Sequence, residues 1–232
     1  MQNETTTQQQ TVNTAAEGSF AIKEELQLFY KQGLPAILKS IFLQPADGVY
    51  RLFTNLTEKA FINGLVLMGA AFLLYTLVPY LLVGSEVRRY IGFTTFLQLG
   101  FSILVFLFLL STVCFGLKAT NSKPSFKKDL ITGGICAVPV ITLLVLAVLA
   151  KLFTGGSNPL AGMYGLLRLF SLSSATGMLF LLPTLICFLL LINIVFQTLK
   201  AGNVTNTLAW YLSPVCIAVS CFLTVKITEA IF

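Results

Sequence analysis

Five stretches of this chain, residues 61–83, 91–117, 130–153, 176–199 and 207–225, are almost continuously apolar. Each is about as long as a bilayer is thick. A helix needs roughly 20 predominantly apolar residues to cross the hydrocarbon layer. Length and pattern together therefore predict an all-α fold, a polytopic transmembrane helical bundle of five spans. Composition agrees. Only 10% of the residues are charged, where a soluble domain carries roughly 25%, so much of the surface does not face water.

The spans differ in their interruptions. The first holds Gly64, Gly69, Ala70 and Ala71, small residues that allow close helix approach. Pro79, Pro139, Pro183 and Pro214 place a proline in four of the five spans. Proline removes an intrahelical hydrogen bond and invites a kink, so these four are candidate bends. Residues 160–172 are apolar but carry Arg168 near their middle. A central arginine is expensive in hydrocarbon, and this segment is expected to be interfacial or re-entrant rather than a span.

The chain ahead of the first span divides in two. Residues 1–19 are rich in Gln and Thr and nearly free of large apolar groups, which predicts a disordered polar tail. They have neither the basic start nor the apolar core of a secretory signal. Residues 20–60 carry apolar groups at helical spacing: Ile22, Leu26 and Phe29; Leu34, Ile37, Leu38 and Ile41; Val49, Leu52, Phe53 and Leu56. Lys23, Lys31, Lys39, Arg51 and Lys59 punctuate these stripes. Short amphipathic helices are expected here. They would lie on the membrane surface or pack on the protein's own spans. Residues 61–232 would form the transmembrane domain.

Catalytic chemistry finds little to work with. The chain has no histidine, the commonest general base and metal ligand. The spans hold no paired carboxylates and no metal-binding motif, so no catalytic residue, metal or cofactor is expected. All five cysteines, Cys114, Cys136, Cys187, Cys216 and Cys221, fall in apolar blocks, where cysteine acts as a small apolar group. Ion-coupled carriers usually keep charged residues within their spans; here such residues sit at span ends. Asn63, Gln98, Asn193 and Gln197 are the larger polar residues within the spans. They read better as hydrogen bonds between helices than as a solute path.

Charge at the span ends sets the expected orientation. With five spans, the N-terminal region, the 118–129 loop and the Lys200 turn share one side and carry ten of the fifteen Lys and Arg residues. Arg88, Arg89, Lys151, Arg168 and Lys226 belong to the other side. The N-terminus is therefore expected in the cytoplasm and the C-terminus outside. Lys118, Lys123, Lys127 and Lys128 lie within one short connection, opposed there by Asp129. Beside an anionic leaflet each lysine near the surface contributes roughly 1 kcal/mol. These four are the candidate anionic-lipid contacts, alongside their role as a topology signal.

Two stretches carry a family resemblance. ILKSIFLQPADGVYRLF is an amphipathic lead-in with Pro45 ahead of the first span. KPSFKKDLITGGICAVPVITLL is a basic loop, a phenylalanine, then small residues and Pro139 in the third span. With five spans and a cytoplasmic N-terminus, the chain resembles the Yip (Ypt-interacting protein) family, in particular its prokaryotic members, from about Leu34 onward. The resemblance implies a non-enzymatic protein of the bacterial inner membrane that organises membrane or partner proteins. Eukaryotic members resemble trafficking factors that bind small GTPases; the short N-terminal tail here departs from that pattern. The expected partners are the lipid bilayer and other membrane proteins, with no nucleic acid. The competing expectation is a small-solute channel or facilitator built from the proline-kinked spans, and a continuous polar-lined cavity would distinguish it.

Overall fold

The computed structural model describes residues 27, 29–55, 61–83, 88, 90–120, 124–154 and 175–232. The 1–19 tail, Ile22, Leu26, Leu56, Lys123 and the 160–172 segment lie outside the described residues. Within them there is no strand, and seven helices occur: α1 (Leu34–Leu38), α2 (Gly48–Asn55), α3 (Phe61–Leu82), α4 (Phe93–Ala119), α5 (Phe126–Thr154), α6 (Ala175–Ala201) and α7 (Asn206–Ile231). Five of these, α3 to α7, are long and apolar enough to cross a membrane. The chain is a multi-pass integral membrane protein.

Three boundaries depart from the apolar blocks. Helix α4 runs on through Lys118, and α5 begins at Phe126, so most of the charge in the 118–129 connection belongs to helix ends. A basic residue in the last turn and an acidic one in the first turn both complement the helix dipole. Helix α7 continues through the polar tail to Ile231, where Lys226 and Glu229 pair one turn apart at 3.0 Å. Both are exposed, so the pair adds little.

Helix α5 is the centre of the bundle. It packs against α3, α4 and α6, while α4 also touches α3 and α7, and α6 touches α7 and α2. In its span 61% of the residues are buried, against 22–33% in the other four. Residues 131–140 are all buried. Adjacent glycines make this crowding possible. A Cβ on Gly133 would lie 2.5 Å from the Leu107 carbonyl oxygen of α4, and one on Gly134 would strike the backbone of Gly64 in α3. Lipid tails are as apolar as leucine, so helices associate in a membrane through such close packing. Gly69, also a small residue of the first span, meets nothing within 4 Å.

The prolines sit where expected, Pro79 in α3, Pro139 in α5, Pro183 in α6 and Pro214 in α7. Each helix continues on both sides of its proline. The Tyr75 hydroxyl of α3 donates to the Val140 carbonyl at 2.7 Å, tying the two helices together beside Pro139.

The segment ahead of the spans is short and irregular. Helix α1 is one α-helical turn between π-helical turns over Phe29–Gly33 and Lys39–Leu43. Pro35 stands at its start, where its missing N–H is harmless. The apolar stripe is divided. Ile37, Ile41, Val49 and Phe53 join the same core as the spans, whereas Leu38, Phe42 and Leu43 are exposed. The inner face thus packs on the protein itself, and the outer face is exposed.

Candidate functional site

Three segments far apart in sequence meet at one end of the bundle. Helix α2, the junction of α4 with α5, and the α6–α7 turn together line a cavity of about 420 Å³. At the opposite end the hydroxyls of Ser102 and Thr228 are 3.2 Å apart. There the rings of Phe101 and Phe232 also meet edge to face. Arg88 closes α3 by donating to the Val83 and Leu81 carbonyls at 2.8 and 2.9 Å. The last carbonyls of a helix need such donors.

Lys118 organises the cavity end. Its ammonium is ion-paired with Asp129, and the two side chains are only 5% and 6% exposed. The lysine closes α4 and the aspartate opens α5, so each also faces the helix terminus of favourable sign. The Phe53 ring of α2 lies 5.3 Å from the same ammonium, a cation–π contact. Asp129 accepts through Oδ1. Its Oδ2 is buried with no hydrogen-bond partner among the described residues.

The α6–α7 turn is built to reach this pair. The Asn203 amide donates to the Lys200 carbonyl at 3.1 Å and the Val204 amide to the Leu199 carbonyl at 3.3 Å. This is the Schellman pattern, with Asn203 at the left-handed position, φ 62°. Asparagine tolerates that conformation better than most residues. Leu199 and Val204, both buried, supply the apolar contact that accompanies the motif. Gly202 is thereby laid against the aliphatic stem of Lys118, and a Cβ there would collide with it.

A second set of contacts holds the N-terminal helices on α6. Asn193 and Gln197, four residues apart on one face, both donate to the Pro45 carbonyl at 2.5 Å. Gln197 Oε1 accepts from the Tyr50 amide at 2.8 Å. The bonds run from a span to the amphipathic segment rather than between two spans. The Lys200 ammonium lies 5.2 Å from the Tyr50 ring. Gln197 is 1% exposed, and deleting its amide leaves the Tyr50 amide without that acceptor, which costs about 1–3 kcal/mol when buried. Gln197→Ala is expected to release α1 and α2 from α6 while the spans stay assembled. Hydrogen exchange would show faster exchange over 37–55 and unchanged protection in α5.

The four lysines of the 118–129 connection thus have different surroundings. Lys118 is taken up by Asp129 and withdrawn from the surface, a correction to its reading as a lipid contact. Burial follows because α4 extends far enough to place it between α2, α5 and the α6–α7 turn. Lys127 is exposed and Lys128 partly exposed at the start of α5. Lys123 is not described. Sequence reasoning set Asp129 against the four lysines together and did not single out Lys118. It also missed Gly202 and the Pro45 carbonyl. The i, i+4 spacing of Asn193 and Gln197 was the available signal for the clamp. No family model, curated protein or solved structure matches the chain.

Proposed function

We propose that this is a non-enzymatic, Yip-like membrane protein that organises partner proteins or lipid from a basic platform at the cytoplasmic face of the bacterial inner membrane. The observation that carries this reading is the gathering of α2, the α4–α5 junction and the α6–α7 turn at one end. That end exposes Lys39, Arg51 and Lys127 beside the exposed apolar groups Leu38, Phe42 and Leu43. Basic residues next to an outward apolar face suit the headgroup boundary of an anionic leaflet, and basic span ends favour the cytoplasm.

The interior speaks against the facilitator reading. Several hydroxyls within the spans are spent on their own helices. Thr76, Thr198, Ser213 and Thr224 each donate to the carbonyl four residues back. The middle of the bundle is occupied by the apolar face of α5. The test has two arms. A photo-crosslinking residue at Arg51 or Lys127 should give discrete adducts in native membranes, and one at Tyr90 or Glu229 should not. Reconstituted vesicles should swell no faster in small neutral solutes than protein-free vesicles. Adducts only at the Tyr90 end, or accelerated swelling, would overturn the proposal.

A further inference from the structure

The segment ahead of the first span has an outward face, and its depth can be read from its neighbours. Tyr30, Leu38, Phe42 and Leu43 are exposed, Leu43 most of all at 74%. Lys31 and Lys39 are exposed beside them. Among the described residues of 29–55, Asp47 is the single acidic group set against Lys31, Lys39 and Arg51. A basic surface with an outward apolar face is complementary to a layer that is anionic at its surface and apolar beneath.

Depth comes from α7. Trp210 and Tyr211 stand in its second turn and are 58% and 68% exposed. Such rings near a span end favour the boundary between headgroups and acyl chains, with the ring in apolar surroundings and its polar tip wet. The Trp210 ring meets the Phe196 ring edge to face, with centroids 5.9 Å apart. Phe196 lies between Asn193 and Gln197, whose amides both hold the Pro45 carbonyl. The clamped segment and the boundary aromatics therefore share one level of the bundle.

The backbone of the segment suits that level. A helix break in apolar surroundings is tolerated where the freed groups find partners. Between the second π-helical turn and α2, the Gln44 amide donates to the Lys39 carbonyl at 3.1 Å. Pro45 has no amide to satisfy, and its carbonyl takes the two side-chain amides of α6.

We propose that Phe29–Leu43 is an interfacial anchor whose partner is the anionic phospholipid of the leaflet at this end. Leu38, Phe42 and Leu43 enter the acyl chains, and Lys31 and Lys39 extend to the phosphates. The inference rests on reading this end as the membrane-facing platform. Depth and lipid retention are measured on the purified protein, so they stand or fail apart from the crosslinks that report partner proteins.

The experiment uses the full chain in vesicles of phosphatidylcholine and phosphatidylglycerol with identical acyl chains. Trp210 is the single tryptophan, so the native protein reports its own boundary level. Leu43→Trp combined with Trp210→Phe reports the segment. Brominated acyl chains should quench both, at about 5–10 Å inside the phosphates, and aqueous iodide should reach neither. Phe42→Trp with Trp210→Phe, a ring-for-ring exchange, gives the same reading if Leu43→Trp folds poorly. Native mass spectrometry of nanodiscs of the same lipids should show phosphatidylglycerol enriched. Lys31→Gln and Lys39→Gln should each lower that enrichment about fivefold. Iodide quenching of the segment would make it a water-facing surface for a soluble partner. Protection from both quenchers would place a second copy or another protein over it. Unchanged enrichment in both lysine variants would remove the anionic lipid. Each of these three results overturns the proposal.

Discussion

Asp129→Ala is expected to be among the most damaging single changes in the chain, with a loss of about 3–5 kcal/mol of stability. The substitution removes the carboxylate that is ion-paired with the Lys118 ammonium, which is 4% exposed. The Phe53 ring beside it offsets only a small part of that loss, because a cation–π contact contributes about 0.5–2 kcal/mol. Lys118→Met should be damaging for the mirror reason, since Asp129 would then be buried and unpaired. Replacing both, as Lys118→Met with Asp129→Leu, should recover most of the stability, because a buried pair exchanged for apolar groups of similar volume is often neutral or better. Thermal unfolding in mild detergent reads the result. The single variants should melt on the order of 10 °C lower, and the double variant near wild type. Equal damage in all three would mean that the side chains matter for their shape and not their charge.

The other large effect is expected in the helix contact at the core. Gly134→Val places a branched side chain where the backbone of Gly64 already lies, and a Cβ on Gly64 would in turn sit 2.8 Å from the Ile131 Cα. Flexible side chains can move aside; two helix backbones cannot without separating α3 from α5. Overpacking a core typically costs about 1–3 kcal/mol, and separating the helices adds the loss of contacts along the interface. Gly134→Val should therefore give little monodisperse protein. Gly69→Val in α3 meets open space and should stay within about 0.5 kcal/mol of wild type. The comparison is read by the monodisperse fraction after extraction. Matching behaviour of the two variants would contradict the close α3–α5 approach.

The five spans were legible because each reports itself through a local quantity, the length of an apolar run. Their ends were less legible. Lys118 and the run Phe126–Asp129 are polar or lie among polar residues, so they read as a loop, yet helix dipoles and the ion pair hold them in helices. Proline positions could be read directly, and so could the small residues. Which glycines touch could not: Gly69 and Gly64 look alike in sequence, but only Gly64 faces α5. The candidate site was legible only in part. A cluster of four lysines with one acid was visible, while the choice of Lys118 as the buried partner depends on Phe53 and Gly202. Those residues come from segments 65 positions before it and 84 after it in the numbering, and no local pattern links them. The clamp has the same character. Asn193 and Gln197 advertise a polar face, and their acceptor is a backbone carbonyl, which carries no sequence signal at all.

The amphipathic helices, the α4–α5 junction and the α6–α7 turn lie at one end of a five-span bundle, opposite the start of α4 and the end of α7. Single cysteines at Thr54, Lys127 and Thr205 report the first end, and at Tyr90 and Glu229 the second; all five positions are exposed. The native cysteines lie within the spans and provide a low background to an impermeant maleimide. Labelling of oriented vesicles should modify the first three from one face only and the last two from the other, with the first three reached from the cytoplasmic face. Labelling of Thr54, Lys127 or Thr205 from the same face as Tyr90 or Glu229 would rule out this arrangement of the two ends.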